Sequence, residues 1–350
     1  PGDVIGLNLF ADAVFEGVVD AVTQNPSGST SWIGHLRGEA FSQFVLVLGG
    51  GLVAGSVTLP GAIYEVGHLR EQSHVVGERD PTVSPPEGPP IPVGAAQGVG
   101  VRLPANPTDD GSTIDLLVVY TQDARDGAGG MQAMLNLIDL SVSESNRSYA
   151  NSGITQRLRL VNTAEVAYEE SGYTSTDLYR LQRPSDGYLD EVHVLRDLFG
   201  ADFVSLFFER ADTGGRAFVM TEVSSDFEDH AFNTVKRRRA SGEYILAHEL
   251  GHNMGAHHDW FVNASIRPYP YNHAYLNVPG RWMTVMSYWD ECAAKGSMCY
   301  VIPYWSNPDM VYQDSPLGVY PGTSTECMER DLNHPDCDAD NRLTLNNTAY

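Results

Sequence analysis

The first 291 residues of this 350-residue chain contain no cysteine. No disulfide can staple that part of the molecule, and no thiol there can act as a nucleophile or metal ligand. Basic residues are also scarce. Lys and Arg total 22 against 45 Asp and Glu, for a net charge of -23. Such a surface repels phosphate backbones and anionic headgroups, so neither nucleic acid nor membrane is expected as a partner. The one basic run, residues 236–239, is short and reads as a solvated loop ahead of a helix. No stretch of about 18 apolar residues occurs, so no transmembrane helix is expected. The opening Pro1-Gly2-Asp3 has no basic region followed by an apolar one. That fits a chain without a signal peptide, or one whose signal has been removed.

What is present begins with the four late cysteines, Cys292, Cys299, Cys327 and Cys337. An even, clustered set fits two local disulfides in an oxidising compartment, hence a secreted, extracellular protein. Nearest-neighbour pairing is expected among the three connectivities. A cysteine metal site is disfavoured because no CxxC spacing occurs.

A chain of this length exceeds one ordinary core, so two domains are expected. Residues 1–80 read as a small β-rich domain, with short apolar or alternating runs at 4–10, 32–36, 41–48, 52–59 and 62–66. Gly49-Gly50-Gly51 and Pro60-Gly61 punctuate them as turns. Residues 81–112 form a linker. Eight of the chain's 20 prolines fall in 81–107, a composition that favours extended polyproline conformation. Residues 113–350 read as an α/β (α+β) domain with a mixed twisted sheet. Apolar strands at 114–120, 157–161, 202–208 and 216–221 alternate with helical patterns at 132–149, 178–181 and 189–198. A further helix is expected at 242–254, and little regular structure after 256.

That last helix carries the chemistry. It contains Ala247-His248-Glu249-Leu250-Gly251-His252-Asn253-Met254-Gly255-Ala256-His257-His258-Asp259. Residues four apart share a helix face, so His248 and His252 can meet one metal ion. Glu249 lies about 100° further round, beside the metal rather than on it. His258 comes six residues after His252, and only a bend returns it to the site. Gly255 sits where the helix would stop, and glycine tolerates the left-handed conformation of such a stop. Three neutral nitrogen ligands leave one tetrahedral position open, as catalytic zinc requires. Chance assembly of this pattern is expected in roughly one chain in ten thousand or fewer. His257 should face away from the ligands as a surface or packing residue.

Downstream, Trp282-Met283-Thr284-Val285-Met286-Ser287-Tyr288 completes a resemblance to the metzincin clan of zinc peptidases. The clan shares HExxHxxGxxH and a methionine-containing turn beneath the metal. Met286 matches that methionine. Tyr288 matches the tyrosine of astacin-like and serralysin-like branches, where it approaches the zinc or the oxyanion. Asp259 after His258, the Leu-Val-Val-Tyr strand at 117–120 and the end at 340–348 resemble the reprolysin or adamalysin-like branch, specifically bacterial peptidyl-Asp metallopeptidase-like enzymes. The resemblance covers residues 113–350, and residues 1–80 resemble their propeptide. Typical adamalysins carry proline two residues after the turn methionine, where this chain has Tyr288. The fold implied is a metzincin-like catalytic domain with an active-site helix.

The activity implied is zinc-dependent endopeptidase, with Glu249 as general base, Tyr288 assisting, and protein or peptide substrates. Gly215, Arg216, Ala217 and Phe218 lie on an expected edge strand that could pair with a substrate backbone. Asp259 would orient His258 or nearby backbone. Residues 292–307 would line the pocket beyond the scissile bond, where Lys295 or Arg281 could supply a cation for an Asp preference. Asp338, Asp340, Asn346 and Asn347 offer oxygens for a structural calcium. Residues 1–112 would be a removable inhibitory propeptide. Without an early cysteine, a carboxylate or histidine near the linker, with Glu78, Asp80 and Glu87 the nearest candidates, would cap the zinc, or the segment would fill the cleft as an added strand. The alternatives are a permanent accessory domain, a non-catalytic zinc-stabilised binding module that would not need Glu249, and a zinc hydrolase of non-peptide amides.

Overall fold

The computed structural model describes residues 1–70, 73–80, 87–94, 111–323, 326–333 and 336–348. The amino-terminal part is a seven-stranded antiparallel sheet in sequence order: β1 (Val4–Phe10), β2 (Ala13–Gln24), β3 (Thr30–Leu36), β4 (Gln43–Gly49), β5 (Leu52–Leu59), β6 (Ala62–Arg70) and β7 (Ser73–Glu78). β2 and β7 are additions to the sequence reading. Glu16, Gly17 and Asp20 interrupt the apolar pattern of β2, yet its alternation still buries Ala13, Gly17 and Val19. One face of the sheet packs around Leu36, Phe44, Val57 and Tyr64.

The second part is built on a mixed sheet. Its strands are β8 (Ile91–Val93), β9 (Thr113–Thr121), β10 (Arg157–Val166), β11 (Phe203–Phe208), β12 (Gly215–Met220) and β13 (Phe232–Lys236), in the order β10-β9-β11-β13-β12-β8. β12 runs antiparallel to β13; β10, β9, β11 and β13 run parallel. The helices are α1 (Gln122–Ala128), α2 (Met131–Ser152), α3 (Thr174–Gln182), α4 (Asp190–Phe199) and α5 (Ile245–Asn253). Because side chains alternate across a strand, β9 feeds both cores. Leu116, Val118 and Tyr120 join Met134 and Ile138 of α2 and Leu246 and Leu250 of α5. Leu117 and Val119 join Leu178 and Leu181 of α3 and Val192 of α4.

The amino-terminal sheet rests on α2. Val45, Val47 and Ala54 meet Leu140, but much of the contact is polar. Ser29 donates to Asp139 at 2.7 Å, Ser31 and Ser143 share a hydrogen bond at 3.0 Å, and Gln43 donates to the Tyr244 hydroxyl at 2.8 Å. One segment of the expected linker is a strand: β8 extends the mixed sheet, parallel to β12, with Ile91 opposite Phe218 and Val93 opposite Met220. The last helix covers Asn341–Thr348.

Candidate metal centre and active site

α5 presents His248, Glu249 and His252, all buried. It ends at Asn253, and Gly255 follows with φ +83°. The Gly255 N–H bonds the His252 carbonyl at 2.9 Å, and the Ala256 N–H bonds that of Gly251 at 2.8 Å. This left-handed stop turns the chain back and delivers His258. A Cβ at 255 would also approach Pro268 Cγ to 2.8 Å, so the position requires glycine on both counts.

One nitrogen from each of His248, His252 and His258 lies within 4.8 Å of the other two. Nδ1 of His248 bonds the Val285 carbonyl and Nδ1 of His252 that of Ala256, each at 2.9 Å. With Nδ1 protonated, Nε2 of each ring is left as a lone-pair donor. His248 Nε2 is buried without a hydrogen-bond partner. Burial drives the basicity of His248, His252 and His258 down and keeps the rings neutral, as metal ligands must be. This donor set fits zinc, and no other such cluster occurs among the described residues.

Beside it, both oxygens of Glu249 are buried without a partner. Burial first, and then the charge of Glu87, pushes the Glu249 carboxyl well above its usual range, while Arg216 and Arg239 pull it down. Met286 is fully buried under the helix. A Cβ on Gly251 would come 2.7 Å from its Sδ, so the turn fits α5 closely. The neighbouring Val285 supplies the carbonyl that fixes His248. The Tyr288 ring stands 4.0 Å from that of His258, centroid to centroid. Asp259 accepts the Tyr288 backbone N–H at 2.9 Å, so it holds backbone rather than an imidazole. His257 is buried, a packing residue and not a surface one.

A cavity of about 70 Å³ adjoins His248, lined by Glu87, Arg239, Val285, Tyr288 and Tyr300 among others. Of the three carboxylates proposed as caps, Glu87 alone lines it; Glu78 and Asp80 lie in a different cleft. The edge of β12 holding Gly215, Arg216, Ala217 and Phe218 is covered by the chain itself. The Gly88 N–H bonds the Gly215 carbonyl at 2.9 Å, Arg216 donates to the Pro89 carbonyl at 2.8 Å, and the Tyr288 hydroxyl donates to the Glu87 carbonyl at 3.1 Å.

Several expectations change. The basic run is only partly solvated: Arg238 is exposed, but Arg239 is not. Arg237 and Arg238 pair with Glu209 at 2.5 and 3.1 Å, and Arg239 is 7% exposed. The density of cations just before the zinc helix was the available signal for Arg239. Lys295 pairs with Glu291 at 2.6 Å, Arg281 donates to the Met298 carbonyl, and neither lines the cavity. Of the four groups suggested for calcium, Asp338, Asp340 and Asn346 have oxygens that accept hydrogen bonds within the protein. Asp338 accepts the N–H groups of Gly322 and Thr323, Asp340 that of Leu343 and Asn346 Oδ1 that of Thr155, whereas Asn347 donates its amide N–H to the Tyr271 hydroxyl. The cysteines pair as expected, Cys292 with Cys299 and Cys327 with Cys337.

A profile of metallo-peptidase family M12 matches residues 110–295. A protein of Stenotrophomonas maltophilia named peptidyl-Asp metalloendopeptidase is 32% identical over 87% of this chain and 75% of its own length. A Xanthomonas campestris protein of the same name is 31% identical over 83% of this chain and 71% of its own. Among solved structures, metalloproteinase-II from Bacteroides fragilis is similar at 14% identity and a TM-score of 0.47, covering 87% of this chain and 88% of that one.

Proposed function

The chain belongs to metallo-peptidase family M12 and is a metalloendopeptidase, and from that premise we propose that it is a secreted zinc endopeptidase present as its own inhibited precursor. The observation that carries the reading is the convergence of three buried imidazoles beside a buried carboxylate with no protein partner. A zinc ion held by His248, His252 and His258 supplies Lewis acidity to a water and to the scissile carbonyl. Glu249 takes the proton of the attacking water and passes it to the departing amine. Tyr288 donates its hydroxyl to the oxygen on which negative charge develops. The exposed backbone of β12, once uncovered, pairs with an extended peptide. The relatives are named for aspartate, and we extend that preference to this chain.

The inhibited state is supported by residues 87–94. They lie along β12, and the Glu87 carbonyl takes the hydrogen bond that Tyr288 would give a substrate. Secretion is supported by the two disulfides and the acidic composition. The test compares the intact chain with one cut at a protease site engineered into residues 95–110, each with and without Glu249→Gln. The cut parent digests casein and loses this with a chelator; the intact parent is slower by at least tenfold. Glu249→Gln keeps its zinc but loses turnover by several orders of magnitude. Activity within tenfold of the parent removes Glu249 as the base, and equal rates for intact and cut chains remove the precursor reading.

A further inference from the structure

Arg239 is a buried cation in the active-site cavity that the reaction as described leaves unused. Its Nη2 lies 2.9 Å from Oε1 of Glu87. Its Nε lies 2.6 Å from Oε2 of Glu243. A Cβ on Gly214 would approach its Nη1 to 2.7 Å, so the guanidinium occupies space that a side chain at 214 would need. Glu243 is shared with Arg79, and Arg79 pairs with Glu65 at 2.6 Å.

These charges divide by position in the chain. Glu65, Arg79 and Glu87 precede residues 95–110, where the chain is to be cut, whereas Arg239 and Glu243 follow them. Release of the amino-terminal part would leave Arg239 with Glu243 and take Glu87 away. A guanidinium has five N–H donors in a fixed fork, more than one carboxylate satisfies, and a buried one needs anionic partners. Arg79 and Arg239 are the two cations lining the cavity, and Arg79 would leave as well. Arg216 does not line that cavity; it donates to Thr174 Oγ1, a partner that stays when residues 87–94 leave.

Glu87 is held at two points. Its carbonyl accepts from Tyr288, and its carboxylate meets Arg239. A substrate residue flanking the scissile bond would be held in the same way, main chain at Tyr288 and side chain at Arg239. We infer that Arg239 selects an acidic side chain next to the scissile bond, and that Glu87 is the internal stand-in for that side chain. The inference rests on the peptidase reading above and names its specificity residue.

The experiment uses the cut chain and two peptides that differ only by Asp or Asn at one position. The parent favours the Asp peptide by about 100-fold or more in kcat/KM, as expected where a site is built around one polar group. Arg239→Gln brings the ratio to within about threefold, mainly by loss on the Asp peptide, with zinc content unchanged. Arg239→Lys restores part of it. A measurement on the parent covers the case in which Arg239→Gln does not fold. The octapeptide of residues 87–94 inhibits the cut chain, and its Gln analogue at the first position inhibits at least tenfold more weakly. A parent without acidic preference, a variant that keeps the parent's ratio, or two octapeptides of equal potency overturns the inference. A parent that cleaves neither peptide removes the peptidase reading itself, and the inference falls with it.

Discussion

Gly215 offers a sharp test of the site's geometry. It opens β12 and is buried. A Cβ placed there would lie 2.4 Å from Oε1 of Glu249 and 2.9 Å from its Cγ and Cδ. Comfortable non-bonded separation is about 3.5 Å, so Gly215→Ala requires a relative displacement of about 1 Å. The strand is hydrogen-bonded to β13, while neither Glu249 oxygen has a partner in the protein. The carboxylate therefore moves, not the strand. Displacing a reacting group by about 1 Å costs on the order of 100-fold in rate. Gly215→Ala should thus lower kcat of the cut chain about 100-fold, with zinc content and thermal midpoint close to the parent's, since the ligands and the core are untouched. Steady-state hydrolysis, metal analysis and a thermal scan read the three quantities. The reasoning is refuted if kcat stays within threefold of the parent, because Glu249 would then not need the position it holds. It is equally refuted if zinc is lost, because the added methyl would then act on the ligands.

Two further outcomes are expected. Tyr288→Phe should lower kcat of the cut chain by about 10- to 1000-fold with little change in KM, as for removal of one oxyanion donor; an unchanged kcat makes Tyr288 a packing residue. Glu144, fully buried on α2, is raised from 4.5 to about 8 by desolvation, opposed by a hydrogen bond from Ser56 and by the Gly242 N–H. The folded value lies above the unfolded one, so its stabilising effect is complete below about pH 4.5, declines by up to about 1.4 kcal/mol per pH unit, and is gone above about pH 8. Glu144→Gln should flatten this decline, and thermal midpoints of variant and parent at pH 5 and pH 9 measure it; parallel curves would place the titration elsewhere.

The zinc site was legible because its geometry is local. His248, Glu249 and His252 follow from one helical turn, and Gly255 announces the bend that returns His258. The strands β9 and β11 were equally plain, since burial on both faces leaves continuous apolar runs. What escaped depends on contacts between distant residues. Nothing in the sequence around Glu87 says that it meets Arg239, 152 positions later. β8 is three residues with a central proline, and it becomes a strand only because β12 offers an open edge. Arg239 looked solvated because a run of four cations usually is; its burial depends on Glu87 and Glu243, which no local pattern links to it. The calcium suggestion gains no support, for the complementary reason. Carboxylates clustered in sequence were dispersed by the fold into separate loop and helix-end hydrogen bonds.

The polarity of α2 bears on whether the amino-terminal sheet can leave. A helix whose buried face were wholly apolar would expose a sticky stripe on release of its cover. The face of α2 toward the sheet instead mixes Leu140 with Asn136, Asp139, Ser143 and Glu144. Each of these polar groups has a partner across the contact: Asn136 donates to the Gly49 carbonyl, Asp139 accepts from Ser29, Ser143 meets Ser31, and Glu144 accepts from Ser56. Water can replace each partner at little net cost, because a hydrogen bond exchanged for one to water changes stability by only about 1 kcal/mol. Glu144, once wetted, can ionise near its ordinary value, which further favours the open state at neutral pH. The same contact is thus specific while closed and leaves a largely polar face on α2 when opened, as the proposed detachable segment requires.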